Sequence, residues 1–233
     1  TSLDTREWSD RFKSELQDLR LVTEYENFER NRDNQESLIN LEFDVLLANP
    51  PFAGEIKEKQ LLTQYVLGKN QAGKLQSKVE RHLLFIERNL DFVKAGGRLA
   101  VVLPQGIFNN TSQEYVRKYI MKKARILAVV GLHGNSFKPH TGAKTSIIFL
   151  QKWREDELDE GNNPTVKDYP IFFATQKQSF KSNSGDYIFE KDIEGNLVLD
   201  EDGNPKYLSD LDEIAEAFVA WGKEQGLSFL KDV

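Results

Sequence analysis

An α/β fold built on a mostly parallel sheet is predicted by three observations. Four short apolar runs, DVLLA (44–48), RLAVVLP (98–104), ILAVVGL (126–132) and TSIIFLQKW (145–153), have the length and β-branched content of buried strands. Between the first and second, Val79, Leu83, Ile86, Leu90 and Val93 recur at helical spacing, and a second helix is predicted around 113–123. Strand and helix therefore alternate at the spacing of crossover connections, which join parallel strands.

The elements follow in chain order. Trp8, Phe12, Leu16, Leu19 and Val22 predict a helix over 6–22, and the polar stretch 23–40 reads as a linker. After the first strand, 53–78 is rich in Lys, Gly, Gln and Asn and reads as a helix breaking into a flexible loop. The helix that starts at Val79 is expected to stop at Gly96-Gly97. Beyond Arg154 the composition changes, and EDELDEGNNP is an acidic, turn-rich break. FFATQ (172–176) and DYIFE (186–190) read as short strands, and IEGNLVLDEDGNPKYL as a hairpin. That hairpin carries Asp200, Asp202 and Asn204 but lacks the glycine spacing and distal Glu of a calcium loop. A closing helix places Leu211, Ile214, Ala215, Phe218 and Trp221 on one face, bounded by Ser209 and Gly222. The expected organisation is an N-terminal helix and linker (1–40), a sheet domain (41–154) and a hairpin–helix appendage (155–233).

Composition narrows the function. The 233 residues are 39% hydrophobic and 29% charged, as in ordinary globular chains. There is no cysteine, which excludes a disulfide framework and thiolate chemistry and fits a reducing compartment such as the cytoplasm. His82, His133 and His140 are not at metal-ligand spacing, so no metal is expected. No apolar run approaches the roughly 20 residues that span a bilayer. A net charge of -6 argues against a self-sufficient nucleic-acid binder. If the chain meets DNA, another segment or subunit supplies much of the phosphate contact.

The first strand ends in Asn49-Pro50-Pro51-Phe52. At average residue usage, NPP followed by Phe or Tyr arises by chance in about one or two chains per thousand of this length. Asn-Pro alone is common strand-ending punctuation, but that leaves the second proline and the aromatic unexplained. In an open parallel sheet, ligands bind beyond the carboxyl ends of strands, where this loop begins. The four residues suit a planar exocyclic amine, a poor nucleophile because its lone pair is delocalised. The Asn49 side-chain oxygen and the Pro50 carbonyl can accept its two N–H bonds and stabilise the positive charge that develops as it attacks a methyl group. The prolines restrict the direction of that carbonyl, and Phe52 offers a stacking face. Methylation at a ring carbon would need a cysteine nucleophile, which the chain lacks.

This motif resembles the amino-methyltransferase motif of adenine-specific DNA methyltransferases. The stretches FDVLLANPPFAGEIKEK, KVERHLLFIERNLDFVKAGGRLAVVLPQGIFNN, RILAVVGLHGNSFKPHTGAKTSIIFLQKW and IFFATQKQSFKSNSGD resemble consecutive blocks of the modification subunit of type I restriction-modification systems. Together they cover most of 40–187, and the closing IAEAFVAW helix is also similar. The resemblance implies a Rossmann-like sheet with an antiparallel last strand, S-adenosylmethionine as methyl donor, and an adenine flipped out of double-stranded DNA. It also implies a specificity subunit and a restriction subunit as partners. By the same resemblance Asn49 and Pro50 accept from the adenine amino group, Pro51 shapes the pocket and Phe52 stacks. Phe137 lies in the loop matching the later base-flanking motif, where it packs on the other base face or serves as a plain loop anchor. Lys69, Lys74 and Lys78 either track phosphate as a mobile lid or form a solvated loop.

The chain also departs from that pattern. The family's glycine-rich cofactor loop precedes NPPF, whereas residues 1–40 contain no glycine. The expectation is the second half of a catalytic domain excised from a longer chain, inactive alone, with the first strand's edge exposed. Self-association or a covering N-terminal helix would then hide that edge. Two alternatives stand beside this reading: methylation of a glutamine amide in release factors, and a non-catalytic scaffold piece of a multisubunit complex.

Overall fold

The computed structural model describes residues 42–227, so the helix expected over 6–22 and the linker behind it lie outside the described residues. In chain order the strands are β1 (Phe43–Ala48), β2 (Glu55–Ile56), β3 (Val79–Glu80), β4 (Val93–Pro104), β5 (Ala124–Gly131), β6 (Thr145–Lys152) and β7 (Phe172–Thr175). The α-helices are α1 (Lys59–Leu62), α2 (Arg81–Phe92), α3 (Gly106–Asn109), α4 (Glu114–Lys123) and α5 (Leu211–Glu224). Five strands form one sheet in the order β1-β4-β6-β5-β7. β1 pairs parallel with β4, and β5 with β7, while β6 opposes both β4 and β5. Four strands thus share a direction, and the expected antiparallel strand is β6, inserted between β4 and β5.

Side-chain alternation along these strands sorts the layers. Leu99, Val101 and Leu103 of β4 and Ile148 and Leu150 of β6 are buried beneath Leu83, Ile86 and Leu90 of α2 and Val116 and Ile120 of α4. On the opposite face Phe149 of β6 stacks on Phe218 of α5, with ring centroids 6.0 Å apart. Phe218 and Trp221 also meet Phe172 of β7 at 5.4 and 5.7 Å. The closing helix therefore caps the sheet through Phe218 and Trp221 of the expected stripe, whereas Ala215 of that stripe is exposed. Near β1 that same face shows Val45 and Leu47 to solvent, 56% and 78% exposed. Among the described residues β1 is paired on one side only.

Several local expectations are corrected. The α2 helix ends at Phe92, not at the glycine pair, because Val93 is wholly buried and turns extended to pair with Phe43. Gly96 and Gly97 instead form an irregularity inside β4. Gly96 adopts φ +77°, and a Cβ on Gly97 would lie 2.8 Å from Val93 and 3.0 Å from the Asp44 carbonyl. FFAT joins the main sheet as β7, through Phe172↔Ala128 and Thr175↔Gly131. DYIFE is not a strand; 181–207 is a run of tight turns joined by single bridges, with Gly185, Gly195 and Gly203 at positive φ. Gly222 is buried inside α5, and the left-handed turn that follows falls on Gly226.

His82, on the first turn of α2, is 3% exposed and neither ring nitrogen has a hydrogen-bond partner. Burial holds its pKa below the ordinary value of 6.5, against a weaker opposing pull from Glu80. A histidine kept neutral in the fold but free to charge in the unfolded chain stabilises above the unfolded pKa, and that stability is lost as pH falls below it. Stability should therefore drop as pH falls below about 6.5, with this one group contributing at most about 1.4 kcal/mol per pH unit. Thermal melts of wild type and His82→Gln between pH 7.5 and 5.5 check this. The variant should show the shallower acid slope.

Candidate functional site

β1, β4 and β5 deliver their carboxyl ends to one edge of the sheet, and β6 begins there. Three loops share this edge: 49–54 after β1, 105–113 after β4 and 132–144 between β5 and β6. The second and third are tied together, since the Gln105 amide donates to the Lys144 carbonyl at 2.9 Å.

The first loop carries the Asn-Pro-Pro-Phe residues in contrasting environments. Pro50 is buried and fixes the turn, Asn49 and Pro51 are exposed, and Phe52 is half-buried. Asn49 makes no side-chain hydrogen bond within the described residues, so its amide is free for a ligand. Phe137 is half-buried at the middle of the third loop. Its ring meets Phe52 edge to face, with centroids 5.2 Å apart and planes at 83°. The sheet thus brings together two rings 85 positions apart in sequence, the first of them three residues after an unpartnered carboxamide.

Directly after Phe52 the chain makes an excursion over 53–80 and returns through β3, which pairs with β2. The expectation of a flexible loop is corrected here. Leu62 and Leu67 are at most 1% exposed within the main core. The buried Glu87 carboxylate of α2 accepts the Val66 and Leu67 amides, each at 2.8 Å. Gln76 Nε2 donates to the Leu67 carbonyl at 3.2 Å. Outside these anchors most of the excursion is exposed, and at its tip Lys69 and Lys74 lie on a turn closed by Asn70, whose side-chain oxygen accepts the Ala72 and Lys74 amides. Lys78 pairs with Glu55 at 2.6 Å. That hydrogen bond holds the Glu55 carboxyl below, and the Lys78 ammonium above, their ordinary ranges. The recorded bonds of Lys69 and Lys74 are local, so the structure joins Phe137 to the motif loop but not these two lysines.

Sequence reasoning missed the residues that hold the third loop. Gln176, just past β7, is 2% exposed, and its side-chain oxygen accepts the His133 amide at 3.0 Å and the Ser136 hydroxyl at 3.1 Å. Lys181 Nζ donates to the Lys138 carbonyl at 2.8 Å. These partners lie some 40 positions apart, so no local pattern marks them. Among the described residues no group of His, Asp or Glu is placed to hold a metal ion, and no helix is long and apolar enough to cross a membrane.

An adenosyl donor needs a close backbone approach at a strand-to-helix turn. Among the described residues the glycines at positive φ instead sit in surface turns, in the β4 irregularity or, for Gly54, in the loop after β1, which leads into β2 and not into a helix. The described residues therefore do not fit such a group.

Residues 22–199 match the family model described as N-6 DNA Methylase. The chain is 31% identical over 110 residues to the Escherichia coli type I restriction enzyme EcoEI methylase subunit, covering 47% of this chain and 21% of that protein. It is 22% identical over 172 residues to the Escherichia coli type II restriction enzyme and methyltransferase RM.Eco57I, covering 71% of this chain and 17% of that one. The chain thus spans about a fifth of the length of these curated relatives. Among solved structures, a Listeria monocytogenes protein described as a class I S-adenosylmethionine-dependent methyltransferase aligns with a TM-score of 0.47 at 24% identity, over 60% of this chain and 40% of that one. The methyltransferase subunit of a Streptococcus thermophilus type I restriction-modification system aligns with a TM-score of 0.41 at 26% identity, over 55% and 30%.

Proposed function

The chain belongs to the N-6 DNA methylase family, and on that premise we propose that it carries the amine-binding half of an adenine-specific DNA methyltransferase of a restriction-modification system. The observation that carries the proposal is the free Asn49 amide at the end of β1, beside the Phe52–Phe137 ring pair. S-adenosylmethionine is the methyl donor in this reading. The described residues offer it no cradle, so the roles assigned here concern the amine alone.

The target adenine leaves the duplex and enters between the two rings. A base in van der Waals contact with both faces needs them about 7 Å apart, twice a carbon–carbon contact of roughly 3.5 Å. The rings stand at 5.2 Å and perpendicular, so Phe137 swings outward by about 2 Å as the base arrives. Phe52 then stacks on one face and Phe137 packs on the other. The amino group donates one N–H to the Asn49 side-chain oxygen and one to the Pro50 carbonyl. Both acceptors grow stronger as the nitrogen becomes cationic, which is the condition for accelerating the step. A bound sulfonium donor would supply the methyl group, its S–C bond breaking to leave a neutral thioether, and the surplus proton of the methylated nitrogen would pass to water. Pro51 shapes the turn, and Lys69 and Lys74 approach backbone phosphates. A specificity subunit and a restriction subunit are the partners in this reading, and the unpaired side of β1 is a surface for self-association.

Nucleoside analysis of DNA after incubation with a methylation-competent protein containing this chain tests the proposal. N6-methyladenine is expected. Methyl appearing on a glutamine amide of a release factor, with DNA unmodified, would overturn it. Phe52→Ala should weaken DNA binding by about 5- to 150-fold, equivalent to about 1–3 kcal/mol of lost stacking. Titration of the variant against wild type by fluorescence anisotropy measures this.

A further inference from the structure

We infer that Gln176 is a positioning residue for substrate, setting where Phe137 stands through a buried amide bridge. The inference rests on the proposed role of Phe137 at the base. Gln176 ends the FFATQ run, where nothing in the sequence singles it out, yet its side chain is more deeply buried than most polar groups among the described residues. Its oxygen takes two donors from one loop, the His133 amide and the Ser136 hydroxyl, and Ser136 directly precedes Phe137. Its Nε2 donates to the Gln178 carbonyl at 2.8 Å, which fixes the amide's orientation. The Gln176 backbone amide donates to the Gly131 carbonyl at 2.8 Å, so one residue clasps both the end of β5 and the loop that leaves it.

A second set of contacts holds the backbone on both sides of Phe137. Lys181 donates to the Lys138 carbonyl, and Asn135 Nδ2 donates to the Asn183 side-chain oxygen at 3.0 Å. Gly185, at φ +98°, lies so close to the loop that a Cβ there would stand 2.6 Å from the Pro139 nitrogen. The segment 176–185 therefore braces the backbone on both flanks of Phe137, so the swing proposed above falls to the ring alone. Small errors in placing a substrate group carry large rate costs, up to about 100-fold for 1 Å. A braced loop around a mobile ring meets that demand.

A double-mutant cycle in a methylation-competent protein containing this chain tests the inference, read as kcat and KM for DNA. Phe137→Ala and Gln176→Met should each lower kcat/KM by about 10- to 100-fold. Because Gln176 acts through Phe137, the double variant should be little worse than Phe137→Ala alone. Gln176→Glu keeps the acceptor oxygen and should recover part of the loss. Should Gln176→Met fail to fold, Ser136→Ala removes one arm of the bridge and enters the same cycle. Multiplying effects of the two changes would overturn the inference and leave the Phe137 role standing. A Phe137→Ala protein of wild-type kinetics would overturn both.

Discussion

Asn49→Ala is expected to reduce kcat for DNA methylation by about 100- to 1,000-fold, the scale seen when one preorganised charge-stabilising hydrogen bond is removed. The loss should fall on kcat more than on KM. The Asn49 oxygen accepts from a neutral amine in the ground state and from a developing cation in the transition state, so the interaction strengthens along the reaction. Stability should barely change, because Asn49 is exposed and makes no side-chain hydrogen bond within the described residues; such substitutions usually stay within about 0.5 kcal/mol. Asn49→Asp retains an acceptor and should fall less far than Asn49→Ala. Steady-state kinetics paired with a thermal melt separate these effects. An Asn49→Ala protein with wild-type kcat would remove this residue from the chemistry.

Glu87→Ala should produce the largest change in stability discussed here. The carboxylate accepts two backbone amides of the excursion that follows Phe52, one of them on the buried Leu67. Removing it leaves a buried donor unpaired, at about 1–3 kcal/mol, and weakens a second, half-buried one, so a total of about 2–4 kcal/mol is expected. The change should be local before it is global. Hydrogen exchange should speed up first across 62–76, where Leu62 and Leu67 anchor the excursion to the core, and only later in β4 and β6. Glu87→Gln keeps one acceptor oxygen and should lose about half as much. Uniform protection loss over the whole sheet would show that Glu87 supports the core in general and not this excursion.

How far the sequence reaches can be judged from particular residues. The strands of the main sheet were legible because each is a short apolar run whose alternation meets a helix on one or both faces. Ile148 and Leu150 go to α2 and α4, and Phe149 goes to α5. The motif loop was legible because its composition is improbable for a plain turn. The glycine pair misled because a helix brake and a kink inside a strand share the same local chemistry. What decides between them is the burial of Val93, a tertiary fact. The excursion over 53–78 read as flexible because lysines, glycines and amides recur along it, while its anchors are single residues, Leu62, Leu67 and the remote Glu87. The Gln176 bridge could not be read at all. Glutamine is an ordinary surface residue, and its partners lie 40 and 43 positions earlier in the chain.

The basic cluster on α4 illustrates the same limit. Arg117, Lys118, Lys122, Lys123 and Arg125 crowd the end of α4 and the start of β5, where cations complement a helix C-terminus, yet three of them have partners, Lys118 pairing with Glu114 at 2.8 Å. Arg117 donates to the Ile107 and Asn110 carbonyls at 2.9 and 2.8 Å, fastening α3 to α4. Arg125 lies over the Tyr169 ring, 5.1 Å from its centroid. Charge in the sequence does not reveal which cations face water.

The central claim is that the Asn-Pro-Pro-Phe loop holds an exocyclic amine between Asn49, Pro50 and Phe52. A crystal structure of a methylation-competent protein containing this chain, bound to duplex DNA carrying its target adenine, tests it most directly. The expected result is an extrahelical adenine stacked on Phe52, with its amino nitrogen within hydrogen-bond distance, about 2.7–3.2 Å, of both the Asn49 side-chain oxygen and the Pro50 carbonyl. A target adenine bound productively with its amino group held elsewhere, and with Asn49 facing solvent, would contradict it.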